Sequence, residues 1–305
     1  MYLIAGATGI LGGEICRQLG AAGKPFRAMV RPTSDPEKVA ALESSGAELV
    51  EADLKDRASL DRACEGATAV LSTVTSMLSQ QPGDSIAAVD RDGQINLVDA
   101  AEGAGVPRYA YISFSRHIDS DAPLANAKRD VERRLEESNL GYTILRPAFF
   151  MELAFNPMLG FDAANGKIVV YGTGENKISF VSIADVASFA IEAVERDTAA
   201  RQTFEVGGPE PLTQMEAVRI FEDIAGREFE LQMVPEEALR QQLAGATDPG
   251  QKSFAGLSLD YATGVPVDMT ESLEAVPIAL TSVREYAEGF MSRIGAGAVS
   301  AGGQH

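Results

Sequence analysis

The stretch YLIAGATGILGGEI, residues 2–15, does more than any other to limit what this chain can become. Four apolar residues run into a glycine turn, and the turn opens onto a helical pattern in which Ile10, Leu11, Ile15 and Leu19 share one face. Gly6, Gly9 and Gly12 recur at every third position between the two elements. The first glycine permits a tight turn, the second lets backbone approach a ligand, and the third lets the helix lie close on the strand. Unpaired amides and the dipole at the helix start then favour an anion such as a pyrophosphate. Strand, glycine turn and helix in this order give the context of a dinucleotide fingerprint, spaced here G-x-x-G-x-x-G. It lacks the Gly-Lys-Ser/Thr ending of a P-loop. The expected cradle comprises Gly6, Thr8, Gly9, Ile10, Leu11 and Gly12.

Behind this turn, short β-branched or aliphatic runs alternate with helical patterns, the signature of βαβ units on a parallel sheet. Strands are expected at 2–5, 26–30, 47–52, 69–74, 109–113 and 142–146, and helices at 10–22, 36–44, 58–65, 86–103 and 124–138. Right-handed crossovers make this a doubly wound sheet of Rossmann type over residues 1–148. After Pro147 the rhythm gives way to AFFMELAFNPMLGF, with no clear period. A strand and helix in 178–195 can return to the sheet, so the segment 178–200 is expected to rejoin the first domain. Beyond it, TFEVGGPEPLTQMEAVRIFEDIAG offers a strand and a helix with a Thr213/Glu216 capping box. Most of 149–293 therefore reads as a smaller α/β substrate lobe, and 294–305 as a frayed tail. Gly172, Gly174, Gly207 and Gly208 read as turns.

At the end of the second strand a NAD-binding chain presents an acid to the ribose. Here the strand ends in Arg31, which suits a 2′-phosphate and points to NADP(H), with Lys38 as a possible second charge and an exposed loop residue as the alternative. Asp53, Ser72 and Thr73 close strands three and four beside the same expected cleft, where turn or strand content explains them equally well.

LANAKRDVERRL, residues 124–135, poses a different question. At about 100° per residue, Leu124, Lys128, Val131 and Leu135 fall within roughly 60° of one another, on the face that should meet the core. Arg129, Asp130, Glu132, Arg133, Glu136 and Glu137 take the wetter positions. Lys128 either snorkels and pairs, or is held in a dry place because chemistry needs it there.

Bulk properties narrow the classes. A formal charge of −18 over 305 residues speaks against a nucleic-acid partner. Cys16 and Cys64 form no Cys-x-x-Cys pair and read as small buried hydrophobes in a reducing compartment, with no metal site. No signal-peptide pattern and no apolar run of membrane-spanning length occurs, so a cytoplasmic protein without a membrane partner is expected.

With AGATGILG, MVRP, YAYISFS, AKRDVERRLEESNLGYTILRP and ISFVSIADVA in register, the chain resembles the atypical short-chain dehydrogenase/reductases over residues 1–235. Within them it is most similar to the NmrA-like and isoflavone-reductase-like proteins. The resemblance implies bound NADP(H) and a C-terminal lobe closing over a small-molecule substrate, in a monomer or homodimer. The Tyr-x-x-x-Lys frame of typical members reads Leu124-Ala-Asn-Ala-Lys128 here, so the tyrosine is lost and the lysine kept. The resemblance implies acid–base work for Lys128, a substrate-holding role for Ser115 or, next to it, Ser113, and a loop under the nicotinamide formed by Pro147, Ala148, Phe149 and Phe150. His117 follows in a loop and reads as a surface residue. Two functions follow: an NADPH-dependent reductase of a planar carbonyl, enone or quinone, or a non-catalytic NADP(H) sensor with a protein partner.

Overall fold

The structure, a computed structural model, describes residues 1–77, 79, 81–118 and 121–301, with side chains to residue 294. The first half alternates β1 (Tyr2–Ala5), α1 (Ile10–Ala21), β2 (Phe26–Val30), α2 (Pro36–Ser44), β3 (Glu48–Glu51), α3 (Arg57–Cys64) and β4 (Ala69–Ser72). A π-helix (Ile86–Gly93) runs into α4 (Gln94–Gly103), followed by β5 (Arg108–Ile112), α5 (Pro123–Glu136) and β6 (Gly141–Pro147). The π-turn was not foreseen in the expected single helix 86–103. A side-chain carbon on Gly93 would stand 2.8 Å from both Ala88 O and Leu54 Cβ, so the wide turn fits only because Gly93 has none. It carries Val89 and Asp90 into the interior.

The second half continues with β7 (Phe149–Phe150), α6 (Met151–Ala154), β8 (Phe161–Asp162), β9 (Lys167–Tyr171), β10 (Lys177–Ile178), β11 (Phe180–Val181), α7 (Ile183–Val194) and β12 (Gln202–Val206). Then come β13 (Leu212–Thr213), α8 (Gln214–Ala225), β14 (Glu230–Val234), α9 (Glu236–Gly245), α10 (Pro249–Thr263), α11 (Thr270–Ala275) and α12 (Val283–Ala301). The main sheet has the order β12-β6-β5-β4-β1-β2-β3 and every pair in it is parallel. Its order reverses between β1 and β4, which opens a crevice at their C-terminal ends. One face packs against α1 and α7 through Ile15, Leu19, Val186 and Phe189, and the other against α3, α4 and α5 through Leu60, Leu97, Val131 and Leu135.

Three readings of the sequence need correction. The TFEV strand belongs to the main sheet, not to the lobe: Phe204 and Val206 alternate inward as β12 covers the outer edge of β6. Helix α7 does lie on α1, with Gln18 donating to Ala184 O at 3.0 Å, but the strand before it does not reach the sheet. It breaks at buried Ser179 into β10, which pairs with β13, and β11, which pairs with β7. The tail from 294 continues as helix α12 to Ala301, and residues 302–305 lie outside those described.

The lobe holds a separate core in which Phe155 meets Phe161, Phe180 and Phe221 at 5.0 Å between ring centres. The Thr213/Glu216 capping box forms as expected. Gly172 and Gly174 occupy left-handed turns. Gly208 does something else: a Cβ there would sit 2.0 Å from Phe180 O, so its absence lets the chain after β12 press on β11.

Candidate functional site

Gly6 adopts φ +84°, and its carbonyl accepts from Gly9 N at 2.9 Å, closing the turn. A Cβ on Gly12 would stand 2.1 Å from that same carbonyl oxygen, and one on Gly6 would stand 2.6 Å from Thr73 Oγ1. The turn is thus compressed between the start of α1 and the end of β4. Gly9 caps α1 without a side chain, which leaves the first helical amides without a side-chain partner. Gly9 is exposed, Thr8 and Leu11 are half-buried, and Ile10 is 59 % exposed. Ile10 therefore does not join the apolar face expected of it, as the first residue of α1. This cradle of close backbone and free amides fits a dinucleotide pyrophosphate.

On the adenosine side of such a ligand, Arg31 does not stand alone. Its guanidinium meets Asp84 at 2.8 Å, and Lys55 reaches the other oxygen of the same carboxylate. Burial pushes the Asp84 carboxyl up, but hydrogen bonds from Lys55, Ser79 and Arg31 outweigh it and hold it at about 2. Lys38 is exposed on α2. Asp53 accepts from Lys55 N at 2.8 Å in a half-buried turn. Neither Lys55 nor Asp84 had a signal in the sequence, since both lie in aperiodic loops. Thr73 lines the turn, donating to Ala5 O at 3.2 Å. Ser72 does not line it: fully buried, it donates to Gln94 Oε1 at 2.7 Å, because the strand turns its side chain toward α4.

At the C-terminal end of β5, Lys128 is buried, and its Nζ donates to Ile112 O at 2.9 Å. The amine lies 5.3 Å from the Tyr111 ring centre and 5.0 Å from that of half-buried Phe114. Burial pushes it below the ordinary lysine value, against the charges of Asp90 and Glu132. Glu132 is itself only 3 % exposed, which corrects its placement on a wet face. It accepts from Arg129 at 2.7 Å and from Arg146 of β6 at 2.6 Å. Burial works against the ionised Glu132, and the hydrogen bonds from Arg146 and Ser113 together with Arg129 hold it below the usual carboxylate range.

Ser115 has 0 % exposure and donates to Glu205 Oε2 at 2.6 Å, while Glu205 also accepts from Arg116 N. Its hydroxyl fastens the loop after β5 to β12. Ser113 is buried 3.4 Å from Arg129. His117 is exposed and, with Arg116, Gly208, Pro209 and Met269, lines an open cavity of about 470 Å³ at this end of the sheet. Pro147 and Ala148 are buried, while Phe149 and Phe150 are half-buried, and Phe149 meets Tyr261 edge-on at 4.9 Å. Cys16 and Cys64 are buried free thiols. Among the described residues no cluster could hold a metal ion, and no helix is long and apolar enough to cross a membrane.

The NmrA-like family matches residues 2–287. The photosystem II assembly factor Ycf39 of Synechocystis sp. is 32 % identical over 244 residues, 78 % of this chain and 72 % of its own. An isoflavone reductase homolog of Zea mays is 31 % identical over 319 residues, covering 95 % of this chain and 97 % of its own. Among solved structures, an NADPH-dependent quinone oxidoreductase of Escherichia coli in complex with NADPH is similar with a TM-score of 0.75. It is 24 % identical and covers 95 % of this chain and 100 % of its own. Parallel sheet order, compressed glycine turn and the match along nearly the whole chain lead to one conclusion: this protein belongs to the NmrA-like family.

Proposed function

We propose that the chain is an NADPH-dependent reductase of a small planar carbonyl, enone or quinone, with Lys128 as its proton-bearing group. The observation that carries this reading is the Lys128 amine, buried at the C-terminal end of β5 and tied to a single backbone carbonyl. Bound NADPH would supply the hydride. Gly6, Gly9 and Gly12 and the amides of Ile10 and Leu11 would hold its pyrophosphate, and Arg31 and Lys55, both paired with Asp84, would supply the positive charge for a 2′-phosphate. Phe114 and Phe149 offer apolar edges that exclude water. Lys128 steadies the substrate oxygen as charge develops and delivers the proton, a step suited to an amine whose proton affinity is lowered by burial. Ser115 fixes the loop that frames the site.

The second reading, a nucleotide-binding assembly or regulatory protein, is favoured by the similarity to Ycf39. Lys128→Met separates the two. Loss of quinone or enone turnover with NADPH affinity retained, read by nucleotide fluorescence, supports the reductase. A parent chain that binds NADPH yet turns over no member of a quinone and enone panel refutes it and leaves the sensor.

A further inference from the structure

Asp90 is an anomaly with no part in holding nucleotide or substrate. The π-turn carries it inside, where it is 1 % exposed. One carboxylate oxygen, Oδ2, accepts from the amide and hydroxyl of Ser76, at 3.1 and 2.5 Å. The other, Oδ1, is buried with no hydrogen-bond partner. A buried carboxylate oxygen without a partner is costly unless a nearby positive charge compensates it. Helix α5 packs directly on the π-helix, and the Asp90 charge acts on the buried Lys128 amine of α5, which uses one of three donors on Ile112 O. Tyr111 lies against the same amine, and its hydroxyl is also buried without a partner. Burial keeps that phenol well above its ordinary value, hence neutral.

The other charges around Lys128 are already matched. Glu132 of α5 is bound by Arg129 and by Arg146 of β6. From α4, Asp99 and Glu102 engage Arg134. On the π-helix Arg91 pairs with Asp92, and on α5 Arg133 pairs with Asp130, both at exposed positions. Where α10 meets α5, Ser253 Oγ accepts from Leu124 N at 3.1 Å. Asp90, held by the neutral groups of Ser76, is the carboxylate left with an uncompensated charge beside the amine. We infer that Asp90 is the positioning residue for Lys128: its buried carboxylate is the counter-charge that keeps the amine protonated and aimed within the apolar crevice.

This inference rests on the reading of Lys128 as a proton donor, but its test reads protonation, not turnover. The chain has seven lysines, so lysine labelled with ¹³C and ¹⁵N gives a countable spectrum in which Lys128→Met assigns the Lys128 signal. In the wild type Lys128 should be an ammonium at pH 7. In Asp90→Asn, which keeps the shape and removes the charge, its titration should fall by about one unit or more, roughly tenfold in proton affinity. The alkaline limb of kcat/KM should move down in parallel. Ser76→Ala leaves the carboxylate charged and should leave Lys128 near its wild-type titration, and Asp90→Glu should restore it. A neutral Lys128 amine at pH 7 in the wild type overturns the inference without any variant, as does an unmoved titration in Asp90→Asn. An equal shift in Ser76→Ala would assign the effect to packing and overturn it too. Failure of the reductase reading looks different: no turnover in the wild type, with the Lys128 titration still dependent on Asp90.

Discussion

Gly12 and Gly13 are neighbours in α1, and the structure assigns them opposite responses to the same added methyl group. An alanine Cβ at position 12 would lie 2.1 Å from Gly6 O and 2.9 Å from Thr73 Oγ1, against an ordinary contact distance of 3.4 Å or more. The obstructing oxygen belongs to a turn closed by the Gly9 N to Gly6 O hydrogen bond, so it cannot swing aside as a side chain would. Relief requires moving the helix start off the strand by about 1 Å, an overpacking that costs about 1–3 kcal/mol or more. The helix-propensity gain of up to about 1 kcal/mol offsets only part of this. At position 13 the Cβ would sit 3.5 Å from Ala7 O, an ordinary contact, so there the propensity gain stands alone. Gly12→Ala should therefore lose about 2 kcal/mol of stability and Gly13→Ala should gain up to about 1 kcal/mol. Urea unfolding with unchanged slope measures both. Equal responses at the two positions, or a stabilised Gly12→Ala, would refute the account of the compressed turn. NADPH affinity should also fall in Gly12→Ala.

Three further outcomes are expected. Asp84 is held near 2, below the ordinary value of 3.8, so its contribution is present above about pH 4 and is lost as pH falls toward 2. Asp84→Asn should flatten that part of the stability–pH curve by on the order of 2 kcal/mol, and an unchanged acid limb would contradict the Arg31–Asp84–Lys55 cluster. Burial pushes the Cys16 and Cys64 thiols up to about 12, so neither should react with a disulfide reagent at pH 8 until denaturant is added. Lys128→Met strands the Asp90 carboxylate and Asp90→Asn strands the ammonium, so each should destabilise by a few kcal/mol. The double variant, which removes both charges, should melt above either single one, and simple additivity in that cycle would show that the two groups do not interact.

The sequence by itself determined the elements whose signals are local. β2 and α2 match the expected 26–30 and 36–44 residue for residue, and the Thr213 box forms, because periodicity and capping depend on neighbours along the chain. It also singled out the glycine turn and Lys128, since three glycines and one misplaced cation are visible without any fold. Only the tertiary structure decided that TFEV would cover β6 and that Glu132 would be buried between two arginines. It alone bent Asp90 inward on a π-turn, assigned the Ser115 hydroxyl to Glu205, and joined Arg31 to Lys55 through Asp84. Those pairings link residues far apart in sequence, and a charge carries no mark of which distant partner will neutralise it. Hydrophobic periodicity says which side of an element is dry, whereas the partner of a buried charge exists only once the elements have packed.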